Sequence, residues 1–177
     1  MLNMSIALQW AERLDTTRIA LLQAILGGAV LCSAYGFQYL GGLQPCALCL
    51  YQRWPWWIAI GLALVAVLLR GNPGVQKAVV ALASLAILTG AGIAGFHVGV
   101  EQQWWQGLAS CGGVSDMPMT VEALKRQIMN APVVSCDEVA WSLMGISMAG
   151  YNMMLSLALG LGGLVLLRRG GTHGDAA

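Results

Sequence analysis

Four stretches of the chain are almost free of charge. Ile19–Leu40 carries none, Trp54–Leu69 none after Arg53, Ala78–Val100 only His97, and Leu143–Leu167 none. Each approaches the ~20 apolar residues a helix needs to cross a hydrocarbon core of ~30 Å. The pattern predicts an all-α membrane protein: a bundle of four transmembrane helices over about residues 19–40, 50–69, 78–98 and 143–167. A long loop of about residues 99–142 joins the last two. Inside it, Val121, Leu124 and Ile128 recur at helical spacing behind Thr120 as a cap, with Glu122 in the first turn. That predicts a short amphipathic helix, either lying on the membrane surface or packed over the top of the bundle. No repeat or low-complexity linker divides residues 1–177, which read as a single domain.

Composition agrees with this pattern. The chain is 58% hydrophobic and 10% charged, against about 25% charged in ordinary soluble domains. The net charge of +1 says nothing about nucleic acid by itself, but no basic patch interleaved with aromatics appears, so no nucleic-acid partner is expected. Glu12 and Asp15 precede the first apolar run and no small-residue cleavage site follows it, so this run is expected to be retained as a helix. Lys and Arg near the span ends set the orientation. Arg13, Arg18, Arg70, Lys77, Arg168 and Arg169 share one side when both termini are cytoplasmic. Lys125 and Arg126 fall on the other side, with Glu101, Asp116, Glu122, Asp137 and Glu138, while Arg53 stands at a boundary.

This topology places four of the five cysteines on the outer side. Cys46 and Cys49 stand where the chain re-enters the membrane, and Cys111 and Cys136 lie in the long loop. In Pro45-Cys46-Ala47-Leu48-Cys49 the proline suits a first helical turn, where its missing N–H costs nothing. The motif is therefore expected to open the second helix with both cysteines on one face. A helix N-terminus favours a thiolate, and Arg53, four residues after Cys49, adds a permanent positive charge. These features predict an activated dithiol. Two alternatives stand beside it: a four-sulfur metal site completed by Cys111 and Cys136, and a pair of static structural disulfides. Cys32, inside the first span, is expected to be a packed small hydrophobe. Gly112-Gly113 and Pro132 leave the two loop cysteines accessible to a second protein.

Trp54, Trp56, Trp57, Trp104, Trp105 and Trp141 all fall near the outer boundary. An interfacial aromatic belt accounts for them, as does a flat aromatic ligand wedged between helices near the cysteines. His97, one turn before Glu101, fits either a proton carrier or a hydrogen-bonded interfacial histidine.

Taken together, "QPCALCLYQR", the loop cysteines Cys111 and Cys136, and "SCDEVAWSLMGISMAGYNMML" resemble the disulfide bond formation protein B (DsbB) family over nearly the whole chain. That family consists of quinone-dependent thiol oxidases of the bacterial inner membrane. The resemblance implies a relay through four catalytic cysteines, Cys46, Cys49, Cys111 and Cys136. Cys111 would form the mixed disulfide with a DsbA-like periplasmic protein of thioredoxin fold, and Cys136 would then attack Cys46. Cys49 would lie beside the bound ubiquinone or menaquinone, with Arg53 supporting quinone binding and His97 and Glu101 as further candidates there. Both termini would be cytoplasmic, with the cysteine pairs facing the periplasm. A vitamin K epoxide reductase-like enzyme shares four helices and a Cys-x-x-Cys, but carries the motif near the end of its last bundle helices.

Overall fold

The computed structural model describes residues 15–112, 120–122 and 134–171. Among them four long helices form a bundle: α1 (Thr16–Tyr39), α3 (Arg53–Leu68), α4 (Pro73–Glu101) and α5 (Met148–Gly171). The five-residue α2 (Ala47–Tyr51) precedes α3, and Ala109–Gly112 forms a 3-10 turn. Helix α4 packs along both α3 and α5, and α1 lies mainly against α3.

Three buried clusters stack through the bundle. The first joins Ile19 and Ala20 from the start of α1, Ala63 and Ala66 from the end of α3, Val80 near the start of α4 and Leu167 near the end of α5. Leu31, Trp56, Ala59 and Ile87 form the middle cluster. Cys46, Leu48, Val100, Cys111 and Cys136 form the third. Successive long helices therefore run in alternating directions. Arg18, Arg70, Lys77, Arg168 and Arg169 belong to the end opposite the cysteines.

The outer faces of these helices are apolar. Leu21, Ile25, Ile58, Leu64, Leu82, Leu85, Leu155 and Leu161 are all exposed, an area of hydrocarbon that water does not tolerate on a monomer. Helices α1, α4 and α5 are long and apolar enough to cross a membrane. Helix α3, with 16 residues, is about 24 Å long and falls short of a ~30 Å core on its own.

The ends of the elements differ from the expected spans for local reasons. Asp15 caps α1, its side chain accepting from the Arg18 N–H at 2.8 Å, so the helix begins ahead of the apolar run. Gly42, at φ 69°, takes the left-handed conformation that turns the chain out of α1. Asn72 caps α4 and Pro73 opens it, and the helix runs on to Glu101, longer at both ends than 78–98. The second segment loses one helical hydrogen bond, because Pro55 has no N–H for the Tyr51 carbonyl; α2 passes into α3 at Gln52 with the backbone angles still helical, φ −65° and ψ −19°.

The fourth segment starts later than position 143. Ser142–Leu143 and Ile146–Ser147 form a two-stranded antiparallel hairpin, β1 and β2, with Ser142 opposite Ser147. Its turn residues Met144 and Gly145 have φ of 51° and 79°, the left-handed pair of a tight type I′ hairpin. Of the expected loop helix, Val121 and Glu122 are helical. Leu124 and Ile128 lie outside the described residues, as do Asp116, Lys125, Arg126, Pro132 and Arg13.

Candidate active site

Cys46 is the N-cap of α2, with Pro45 just before the cap and not inside the first turn. The Cys46 sulfur accepts the Cys49 backbone N–H at 3.2 Å, and the two sulfurs lie 2.6 Å apart. Helix-end stabilisation therefore falls on Cys46. Cys49 sits one turn in, its sulfur hydrogen-bonded to that of Cys46. That hydrogen bond is the main cause that lowers the Cys46 thiol to about 4, with His97 and the Cys49 N–H adding to it and burial opposing. The same shared proton, followed by burial, pushes the Cys49 thiol up.

His97 reaches the pair from α4. Its Nε2 is 3.6 Å from the Cys46 sulfur and 3.9 Å from Glu101 Oε1. Glu101 in turn accepts the Ser147 hydroxyl, which ties the end of α4 to the β-hairpin. On the other side of the ring, His97 Nδ1 contacts Gln52 Nε2 at 2.8 Å. Gln52 Oε1 accepts from Asn152 of α5 at 2.6 Å, and Asn152 Oδ1 accepts the Trp56 indole N–H at 2.9 Å. A line of buried and half-buried polar groups thus connects α3, α4 and α5 beside the cysteines.

Cys111 and Cys136 are joined in a disulfide and buried in the same cluster as Cys46. This bond removes the four-thiolate metal site, because a disulfide sulfur has no thiolate to offer a metal. Cys46, Cys49 and His97 place one donor atom each within 4.8 Å of one another. Two sulfurs on a tetrahedral zinc, each about 2.3 Å from it, stand well over 3 Å apart, and at 2.6 Å these two are too close to hold an ion between them.

A cavity of about 550 Å³ opens beside the pair, lined by Cys46, Cys49, Arg53, His97 and Glu101 among largely apolar residues of α1 and α5. Its wall near the hairpin is aromatic, with Trp141 between Phe37 and Tyr151 at ring separations of 5.2 and 6.3 Å. Arg53 does not lie over the cysteine sulfurs as its spacing suggested. Its guanidinium donates to Gln38 Oε1 at 2.7 Å and sits 4.6 Å from the centre of the Tyr35 ring. Both partners come from α1, so Arg53 braces α1 against α3 at the cavity mouth.

Several sequence expectations are redistributed. Trp56 does not belong to a lipid belt: it is 2% exposed, packs in the middle cluster against Gly27 and lines the cavity. Trp54, Trp57, Trp104 and Trp105 are exposed. Cys32 is exposed on the outside of the bundle and not packed between helices. Gln52, Asn152, Gln38 and Tyr35 join the site without belonging to any sequence motif. An amide at positions 52 and 152 of otherwise apolar helices was the available signal, since buried amides within a membrane need partners on neighbouring helices.

The fold and site define a multi-pass membrane protein with two cysteine pairs at one end, one a disulfide and one a close dithiol. The family model for disulfide bond formation protein DsbB matches residues 16–166. The chain is 33% identical to the disulfide bond formation protein B of Verminephrobacter eiseniae, over 91% of this chain and 90% of that one. It is 30% identical to that of Xylella fastidiosa strain Temecula1, over 90% and 92%, and 29% identical to that of Nitrosococcus oceani, over 98% of each. No solved structure matches. The chain belongs to the DsbB family, and it is a disulfide-forming oxidoreductase of a bacterial membrane.

Proposed function

We propose that this protein reoxidises a DsbA-like periplasmic thioredoxin-fold protein and delivers the electrons to a membrane quinone. The observation that carries the reading is the site's layout: both cysteine pairs share one buried cluster, and the Cys46–Cys49 pair opens onto a cavity of about 550 Å³. In this reading residues 1–177 form one domain with four membrane crossings, the segment of about 50–69 making the second. The basic end of the bundle faces the cytoplasm and the cysteine end the periplasm.

The cavity fits a quinone head group. Its walls are mostly apolar, its aromatic side suits a flat ring, and Arg53, His97 and Glu101 offer polar contacts within the lining. A quinone bound there supplies a two-electron acceptor that is soluble in the bilayer. Ubiquinone and menaquinone both meet this description.

The residues' own steps follow from exchange chemistry. A partner thiolate attacks Cys111, forming a mixed disulfide and releasing Cys136 as thiolate; the partner's second thiol then displaces Cys111 and leaves with its own disulfide. The Cys136 thiolate attacks Cys46 in the Cys46–Cys49 disulfide, forming Cys136–Cys46 and releasing Cys49 as thiolate beside the cavity. Cys111 then attacks Cys136, re-forming the loop disulfide and releasing Cys46. A thiol of low pKa leaves faster, and Cys46, lowered to about 4, suits that last departure. Two electrons and two protons now reside on Cys46 and Cys49, from which the acceptor takes them.

The test is a thiol count on fully reduced, oxygen-free protein before and after adding a soluble ubiquinone analogue. Because each disulfide is a two-electron couple, loss of about four thiols matched by about two quinols, with Cys32 remaining, is expected. Unchanged thiols in folded protein would refute the reading. The same sample's metal content would then separate a metal-binding membrane protein from a static scaffold.

A further inference from the structure

Four side chains from separate parts of the bundle form one line of hydrogen bonds ending at the cysteine pair. It runs from Trp56 Nε1 to Asn152 Oδ1 at 2.9 Å, from Asn152 Nδ2 to Gln52 Oε1 at 2.6 Å, and from Gln52 Nε2 to His97 Nδ1 at 2.8 Å. The direction of the line is set at its far end. An indole N–H can only donate, so Asn152 must turn its oxygen toward Trp56 and its amide nitrogen toward Gln52. Gln52 must then meet that nitrogen with its oxygen, which leaves its own nitrogen facing His97.

A second, longer contact agrees with this orientation of Gln52. Its Nε2 also donates to the Leu48 carbonyl at 3.3 Å, and a carbonyl only accepts. Both constraints make His97 Nδ1 the acceptor, so the proton of the neutral ring belongs on Nε2. That atom lies 3.6 Å from the Cys46 sulfur. Trp56, Gln52 and His97 are 2%, 6% and 3% exposed, and Asn152 between them is half-buried at the cavity wall.

We propose that Trp56, Asn152 and Gln52 are positioning residues that hold His97 in the Nε2–H tautomer, so that its ring donates a hydrogen bond to the Cys46 sulfur. The opposite tautomer would turn a nitrogen lone pair toward that sulfur and repel a thiolate. The other titratable or charged groups that line the cavity with the sulfur are Cys49, one turn along, Glu101 beyond the ring, and Arg53, Glu138 and Tyr151; Cys111 and Cys136, being bonded, do not titrate. Glu101 attracts the same Nε2–H at 3.9 Å, which reinforces the tautomer from the other side. The thiol-oxidase reading enters only in the use made of this hydrogen bond, which stabilises Cys46 as thiolate. The direction of the line is a matter of donors and acceptors alone.

The experiment is nitrogen-15 NMR of histidine-labelled full-length protein in detergent micelles, reduced and without quinone, in a His173→Gln background so that His97 is the sole histidine. The wild-type ring is expected to show a protonated Nε2 and a bare Nδ1. Trp56→Phe keeps the ring and removes the N–H; it frees both amides to turn, and the single-tautomer pattern is expected to give way to a mixture. Asn152→Leu breaks the next link with the same expected result and serves if the tryptophan variant does not fold. Gln52→Glu places an acceptor-only carboxylate at Nδ1 and is expected to draw a proton onto that nitrogen. A wild-type proton on Nδ1 or on both nitrogens would overturn the proposal, as would an unchanged Nε2–H pattern in folded Trp56→Phe or Asn152→Leu protein. This readout uses no acceptor, whereas the thiol count reads the oxidase itself, so the two readings fail separately.

Discussion

The assignment of the thiolate to Cys46 can be tested by alkylation. The thiolate is the nucleophile, so its reaction rate with iodoacetamide rises with pH and levels off above the midpoint. For Cys46 that midpoint is expected at about 4, whereas an ordinary thiol, near 8.5, is still gaining rate at neutral pH. The main contribution is the hydrogen bond from the Cys49 thiol, and His97 and the Cys49 backbone N–H supply the rest. Cys49→Ala removes the first and keeps the other two. A hydrogen bond to a charged group contributes about 1.5–3 kcal/mol, or roughly 1–2 pH units at 1.36 kcal/mol per unit. The Cys46 midpoint should rise by about that much in Cys49→Ala, and His97→Ala on the same background should raise it by about one unit more. The assay is a pH series of alkylation rates on fully reduced protein, with peptide mass mapping to separate Cys46 from Cys49. Faster labelling of Cys49 in mild acid, or a Cys46 midpoint in the range of an ordinary thiol, would refute the argument that the N-cap position selects the thiolate.

Two further substitutions probe the cavity and the bundle. Arg53→Ala removes the contacts to Gln38 and Tyr35 and the cavity's permanent cation; quinone-driven thiol loss should fall about tenfold or more. Single-turnover exchange between reduced partner and the cysteine pairs, measured without quinone, should stay near wild type, and an equal loss there would count against a role at the quinone. Gly163 faces the buried Gln23–Ser84 pair, and a Cβ there would stand 2.6 Å from Ser84 Oγ and 2.7 Å from Gln23 Nε2. Gly163→Ala should destabilise the bundle by about 1–3 kcal/mol in mixed-micelle unfolding. The adjacent Gly162→Ala, with open space around its Cβ, should be neutral or slightly stabilising; similar midpoints for the two variants would contradict this packing.

Most of the architecture was written in local pattern. Uncharged runs of membrane length, caps such as Asp15 and Asn72, and the Cys-x-x-Cys at a helix start are properties of neighbouring residues, and periodicity and solvation act over a few turns. Two further local signals modify the apolar runs. Pro55 removes one helical hydrogen bond from the second segment because it lacks an N–H, and the Met144-Gly145 turn replaces the start of the fourth with a hairpin. The outward face of Cys32 and the inward burial of Trp56 depended on the rotation of each helix about its axis. An almost wholly apolar helix carries little in its own sequence to set that rotation.

Which cysteine holds the charge was a tertiary decision. Spacing put Arg53 one turn beyond Cys49, but Tyr35 and Gln38 draw its guanidinium toward α1, and it is His97, 51 positions along the chain from Cys46, that reaches the sulfur. Gln52 and Asn152, 100 positions apart, meet only because the junction of α2 with α3 packs against α5. Hydrogen bonds act over about 3 Å and demand a donor opposite an acceptor. The sequence alone therefore named the groups able to do the chemistry, while packing decided which of them face one another.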